Sequence, residues 1–287
     1  MAKQKGFTLI ELLVVVSIIG LLMSMLLPVF KKVRDSATTS ACQSNLHTWA
    51  IAFSLYTGDN EGRFFNGGVN NKFMEYGDGL WWMIPLKPYY ENRELLVCPA
   101  AKAGYGSWFR DTQFAGNAHL GEARGAWHTA HKDTELFPGG VIGSYGPNGW
   151  ICDTSANPAP HNDTLYGRSG HSKKAWKTTE VRRPDKIPVF SDCMYFDVWP
   201  NHTDVPRDPE FPYGDRPGLN EMNRACVNRH NGFVNCLFMD WSVRKVGLKE
   251  LWTLKWHRKF DTCNPFTKCG GVRPDDWPKW MRKFKDY

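Results

Sequence analysis

The stretch Lys5-Gly6-Phe7-Thr8-Leu9-Ile10-Glu11-Leu12-Leu13-Val14-Val15 opens an apolar run that continues to Phe30 with Glu11 as its only charge. From Leu12 to Phe30 no residue is charged, and 19 helical residues span about 28 Å, close to the hydrocarbon thickness of a bilayer. The run is apolar on every face, which suits lipid better than a two-layer core. A cleavable secretory signal would be shorter and would end in small residues. Here Leu26-Leu27-Pro28-Val29-Phe30 leads straight into Lys31-Lys32-Val33-Arg34. A single membrane-spanning helix over residues 7 to 30 is therefore expected. Pro28, which lacks a backbone donor, is expected to kink or locally unwind it. Lys3 and Lys5 favour a cytoplasmic N-terminus, whereas Lys31, Lys32 and Arg34 oppose it, so charge alone leaves orientation open.

Glu11 needs a physical reason, because a carboxylate inside the apolar zone costs about 2.5 to 3.5 kcal/mol on insertion scales. The segment Lys5 to Val15 closely resembles the processing site of type IV prepilins and type II secretion pseudopilins. That resemblance implies cleavage by a prepilin peptidase between Gly6 and Phe7, methylation of the new Phe7 amine, and a role for Glu11 in assembly. In a filament of parallel helices the Glu11 carboxylate of one copy can meet the Phe7 amine of the next, turning a stranded charge into an ion pair that sets axial register. It also implies a leader over residues 1 to 6, a bacterial inner-membrane location with a cytoplasmic N-terminus, and a periplasmic head. The implied partners are the lipid bilayer, the peptidase, other copies or related pseudopilins, and an inner-membrane assembly platform.

Beyond the membrane run, Cys42, Leu46, Trp49, Phe53 and Tyr56 recur at helical spacing, which predicts an amphipathic stem over residues 31 to 57 with one face on a head. Ser40, Gln43, Asn45 and Thr48 are expected to face elsewhere. The breaker cluster Thr57 to Gly62 should end the helix. Residues 58 to 287 are rich in Gly, Pro and aromatics and predict a mainly antiparallel β head with long loops. The fold class is α+β, a long N-terminal helical stem packed on that head. Expected strands are Gly140 to Tyr145, Ile187 to Asp192, Val234 to Met239 and Val243 to Val246. Gly116 to Asp133 and Pro200 to Arg216 read as loops, and Leu248 to Phe260 as a short amphipathic helix.

The head carries a second resemblance. Ala41-Cys42-Gln43-Ser44-Asn45-Leu46, Cys98-Pro99, Ser144 to Gly149, and Arg229-His230-Asn231-Gly232 through Asp240 are similar to a pseudopilin-like family labelled by a His-X9-Asp-Gly motif. Nine residues separate His230 from Asp240, and Trp241 stands where that family has Gly. Either the turn type differs or Trp241 keeps an ordinary conformation.

Composition limits the chemistry. The chain has 287 residues, a net charge of +7 spread along its length, and 8 cysteines with no Cys-x-x-Cys pair. That pattern fits an oxidising compartment and makes nucleic acid an unexpected partner. Neither an enzyme nor a metal or cofactor is expected. His230 and Asp240 lie at opposite ends of one strand and are read as turn-bracing residues, and no zinc, phosphate-loop or dinucleotide spacing occurs. Asp59-Asn60-Glu61-Gly62 and Asp275-Asp276 offer oxygen ligands for calcium without completing a calcium loop, so solvated turns are expected. Cys263 with Cys269 is the first disulfide expected and Cys42 with Cys98 the second. The leading function is a pseudopilin-like subunit of a type II secretion or type IV pilus-like filament. The alternative is a surface-displayed glycan- or DNA-binding module on the same anchor, raised by the 13 tryptophans and by Lys279, Arg282, Lys283 and Lys285.

Overall fold

A computed structural model describes residues 9–66, 82–101, 118–119, 126–129, 141–153, 164–165, 168–207 and 220–287. One helix, α1 (Leu9–Asp59), dominates it. At 1.5 Å per residue it is about 76 Å long, and its apolar N-terminal half meets the length and composition of a membrane span. The side chains from Leu9 to Val33 are exposed all round. Within this half the hydroxyls of Ser17 and Ser24 donate back to Leu13 O and Leu21 O, which satisfies them without water. Of the expected kink or local unwinding at Pro28, the unwinding does not occur, because loss of one donor leaves the neighbouring bonds of a long helix in place.

The second half of α1 buries the stripe Cys42, Leu46, Trp49 and Phe53 completely, as its spacing requires, with Tyr56 half-buried. Asn45 departs from expectation. It is half-buried, and its Nδ2 donates to Val97 O at 3.3 Å. After Asp59 the chain turns back through Glu61 (φ 55°) and Gly62 (φ 72°), with Gly62 N bonded to Thr57 O at 2.8 Å. The breaker cluster thus acts as a left-handed C-cap.

Among the described residues, nine strands follow in chain order: β1 (Ala118–His119), β2 (Trp127–Thr129), β3 (Val141–Gly143), β4 (Tyr145–Pro147), β5 (Thr164–Leu165), β6 (Arg168–Ser169), β7 (Pro188–Asp192), β8 (Phe233–Phe238) and β9 (Val243–Gly247). The main sheet is antiparallel in the order β4-β7-β8-β9, and α1 packs on β8 and β9 while its aromatics reach β7. Strands β1, β2 and β3 form a second antiparallel sheet, and β5 pairs with β6. Thus β1 and β2 fall in a segment read as loop. The expected single strand Gly140 to Tyr145 is split, because the chain changes sheets at Ser144. That residue is held by its N–H to Leu96 O (2.8 Å) and by two donors to its carbonyl, Cys193 N (2.9 Å) and Arg229 Nη1 (2.6 Å).

The expected helix over Leu248 to Phe260 is a single 3-10 turn, Lys249–Thr253. Its apolar residues Leu248, Leu251, Trp252, Leu254, Trp256 and Phe260 are all buried, so they leave no polar stripe to define a surface helix. Eight tryptophans (Trp49, Trp82, Trp127, Trp150, Trp199, Trp252, Trp256 and Trp277) are among the fully buried side chains. The C-terminal segment docks on the head through Trp277 and through Lys249 Nζ to Asp286 Oδ1 at 2.8 Å. The expected Cys263–Cys269 disulfide is formed, with the Cα atoms 5.2 Å apart.

The β8–β9 hairpin corrects the reading of Trp241. Trp241 N bonds to Phe238 O and Phe238 N to Ser242 O, both at 2.9 Å, while Trp241 itself has φ 65°. This is a tight turn closed by one left-handed residue, the position that suits glycine. Trp241 therefore adopts the glycine conformation, at a cost of about 1 kcal/mol. Neither expected outcome, a different turn or an ordinary conformation, is what the hairpin shows.

Candidate functional site

Of the residues read as an N-terminal site, Gly6 and Phe7 lie outside the described residues. Glu11 sits near the start of α1 in its exposed half.

The residues singled out in the head divide differently from expectation. Asp240 is exposed in the hairpin turn, where its Oδ1 accepts from Ser242 N (3.0 Å) and Ser242 Oγ (2.6 Å). It braces a turn, as read. His230, at the entrance to β8, is buried and pairs with another carboxylate, Asp192 at the end of β7, with Nε2 to Oδ2 at 3.2 Å. Three of the acidic residues read as calcium ligands have protein partners. Asp59 Oδ2 accepts from Tyr89 Oη, Asp276 Oδ2 from Arg273 N, and Asp275 pairs with Arg282.

Cys42 and Cys98 do come together, but as free thiols rather than the expected disulfide. Each sulfur faces a polar partner. Cys42 Sγ lies 3.7 Å from Asp192 Oδ2 and accepts from Tyr145 Oη at 3.2 Å. Cys98 Sγ lies 3.4 Å from His230 Nε2 and 3.4 Å from Ala100 N. The result is one buried cluster, Cys42, Cys98, Asp192 and His230, whose ligand atoms all lie within 4.8 Å of one another.

Its members come from four separate parts of the chain: the stem, the loop after a 3-10 turn at Arg93–Leu96, the end of β7 and the start of β8. A second layer holds each in place. Thr39 Oγ1 donates to Asp35 O (2.7 Å) and so presents a lone pair to His230 Nδ1 at 3.1 Å. Nδ1–H can therefore donate to Thr39, and Nε2 is the ring nitrogen that faces the cluster. Asp192 Oδ2 accepts from Asn235 N at 2.9 Å, and Arg229 Nη1 stands 3.5 Å from Asp192 Oδ1. The Arg229 guanidinium is itself buried and also donates to Ser144 O and Cys193 O.

The electrostatics follow from this packing. Burial pushes the Cys42 thiol well up. The hydrogen bond from Cys42 brings Cys98 down to about 7 against the opposing effect of burial. Burial disfavours both the Asp192 carboxylate and the His230 imidazolium. Their mutual contact prevails, helped by Arg229 and Asn235 N–H, holding Asp192 below its ordinary value and raising His230 to about 9. Such a pocket favours a positive centre among negative ligands.

Sequence reading missed Asp192 because no short spacing links these residues and an aspartate ending an apolar strand looks like a turn residue. The available signal was the pairing of Cys42, on the buried stripe of the stem, with Cys98, which marked the right place for a different reason.

The prokaryotic N-terminal methylation motif matches residues 1–27 of the chain. No curated protein and no solved structure matches it. The motif is that of prepilin-type processing and supports a type IV pilin-like, membrane-anchored subunit that is handled by prepilin peptidase and assembles with other pilin subunits.

Proposed function

We propose that this chain is a non-enzymatic, pseudopilin-like structural subunit of a type II secretion or type IV pilus-like filament. It is cut after Gly6, methylated at Phe7, held in the bacterial inner membrane by residues 7 to 30 with its head in the periplasm, and assembled laterally on an inner-membrane platform. The observation that carries this reading is the methylation motif at residues 1–27 set on a helix whose first half is exposed and apolar on every face. Helices of this kind bury themselves in lipid and then against one another. In the filament the Glu11 carboxylate meets the Phe7 amine of an adjacent copy.

Among the described residues, the tryptophans weighed for the glycan- or DNA-binding alternative give it no support, and Trp81 lies outside those residues. Trp82, Trp252, Trp256 and Trp277 are buried in the core, and Trp280 is half-buried with its Nε1 bonded to Arg207 O at 3.0 Å. They form no exposed stacking platform.

Terminal peptide mass spectrometry of the native protein tests the reading. The mature chain is expected to begin at N-methylated Phe7, and Gly6→Leu to remain a precursor. Glu11→Leu is expected to be inserted and cleaved like the wild type yet to recover less than a tenth of the filament-associated subunit, in line with loss of a buried ion pair of about 3 kcal/mol or more. A native chain that begins at Met1 overturns it.

A further inference from the structure

The geometry of Cys42, Cys98, Asp192 and His230 points to a structural tetrahedral zinc-type site that clamps the stem to the head. The first argument is metric. With bonds of about 2.3 Å to sulfur, 2.0 Å to nitrogen and 2.1 Å to oxygen, a tetrahedron has edges of about 3.5 Å (S to N), 3.4 Å (N to O) and 3.6 Å (S to O). The corresponding separations are 3.4 Å for Cys98 Sγ to His230 Nε2, 3.2 Å for His230 Nε2 to Asp192 Oδ2 and 3.7 Å for Cys42 Sγ to Asp192 Oδ2. Three of the six edges thus match, and the other three lie within 4.8 Å, so the four ligand atoms surround a space of the size that a small divalent ion requires.

The second argument is the outer layer. Metal-bound imidazoles donate their distal N–H to a fixed acceptor, and ligating sulfurs and carboxylates are themselves hydrogen-bonded. Here Thr39 Oγ1 receives His230 Nδ1–H, Tyr145 Oη donates to Cys42, Ala100 N to Cys98, and Asn235 N to Asp192. Every ligand has its orienting partner.

The third argument is charge. Metal binding deprotonates both thiols. Two thiolates and the Asp192 carboxylate are then balanced by one divalent cation together with the buried Arg229, with His230 neutral. A neutral assembly is what a site shut off from water demands. Zinc fits best: two sulfurs, one nitrogen and one oxygen in tetrahedral array suit it, and hard cations such as calcium take oxygen ligands in larger number. The protein supplies all four ligands, so no position is left for water or substrate and the site is structural.

The test uses the full-length chain purified in detergent micelles under reducing conditions without chelator, with zinc as the added ion. Elemental analysis is expected to find about one zinc per chain. Replacement by cobalt(II) should give the intense thiolate-to-cobalt absorption of a tetrahedral site. Chelation is expected to lower the melting temperature by about 5 °C or more, and zinc to restore it. His230→Ala and Cys98→Ser should lose the zinc, while Cys226→Ser, at a buried free cysteine outside the cluster, should keep it. If the ligand variants do not fold, the cobalt spectrum of the wild type still decides. The inference is overturned by a reconstituted wild type with neither zinc nor a thiolate–cobalt band, by full zinc content in His230→Ala or Cys98→Ser, or by a Cys42–Cys98 disulfide in material alkylated at lysis.

Discussion

From Leu9 to Val33 the side chains of α1 point into open space on every side, whereas from Thr39 to Thr57 the same helix hides a stripe of residues under the head. The backbone is continuous across the two halves. The difference lies in periodicity: the first half is apolar all round, and the second repeats its apolar residues every three or four positions. Helical propensity thus made one rod, and the side-chain pattern suits its ends to two surroundings, a bilayer by length and composition for one and a protein core for the other.

The sharpest way to probe that contrast is to cut one large side chain from each half. Trp49 is fully buried, with ring centroids 4.7 Å from Tyr90, 5.1 Å from Phe190 and 5.5 Å from Trp82, and its Nε1 donates to Leu95 O at 2.8 Å. Trp49→Ala is expected to destabilise the head by about 3 to 5 kcal/mol in urea unfolding of the full chain in micelles. Leu13→Ala should change the same measurement by less than about 0.5 kcal/mol. Equal losses would mean that the two halves unfold as one unit.

Acid is expected to separate the halves next most strongly. His257 is fully buried against Trp150, Phe260 and His202, and neither ring nitrogen has a hydrogen-bond partner among the described residues. Burial, reinforced by Lys174, His202 and Lys255, lowers it from an ordinary 6.5 to about 3. The unfolded chain therefore takes up a proton that the folded head refuses. Stability is fully present above pH 6.5 and falls as the pH drops toward 3, by on the order of 3 to 5 kcal/mol. Circular dichroism in micelles should show the head melting under acid while helix persists in the lipid half, and His257→Phe should flatten the loss. An unchanged acid profile in His257→Phe would assign the sensitivity elsewhere.

The smallest effect concerns Trp241, whose indole lines a shallow groove with His47, Ala50, Ile51, Ser54 and Leu55 on the outer side of the stem. Trp241→Gly relieves about 1 kcal/mol of left-handed strain and forfeits that packing, so its unfolding midpoint should stay within about 1 kcal/mol of the wild type. Trp241→Val, β-branched and strained, should be less stable than Trp241→Gly. A loss above about 2 kcal/mol in Trp241→Gly would show that the indole is a main fastening of the stem.

The parts legible in the sequence were those written in local patterns. The apolar run, the stripe from Cys42 to Phe53, the strands β7, β8 and β9, and the short loop from Cys263 to Cys269 each follow from residues within a few turns of one another. What escaped depends on residues far apart in the chain. Nothing near His230 announces Asp192 or Thr39, since strand pairing and helix docking bring them together. Ser144 looks like an ordinary strand residue until two sheets claim its flanks. Trp241 breaks the local rule for its turn, and only the groove along the stem shows what its side chain does instead.

Asp35 is where the two environments meet. Its Oδ2 accepts from Asn231 Nδ2 at 3.0 Å, so the head already grips the rod at that level. Asp35 lies five helical steps, about 7.5 Å of rise, beyond Phe30 at the end of the apolar run. When that run lies in a bilayer, the globule has no leash on which to swing. The grip would then hold it close to the headgroups, with Lys31, Lys32 and Arg34 exposed between, and a twist of the rod would turn the body with it like a key.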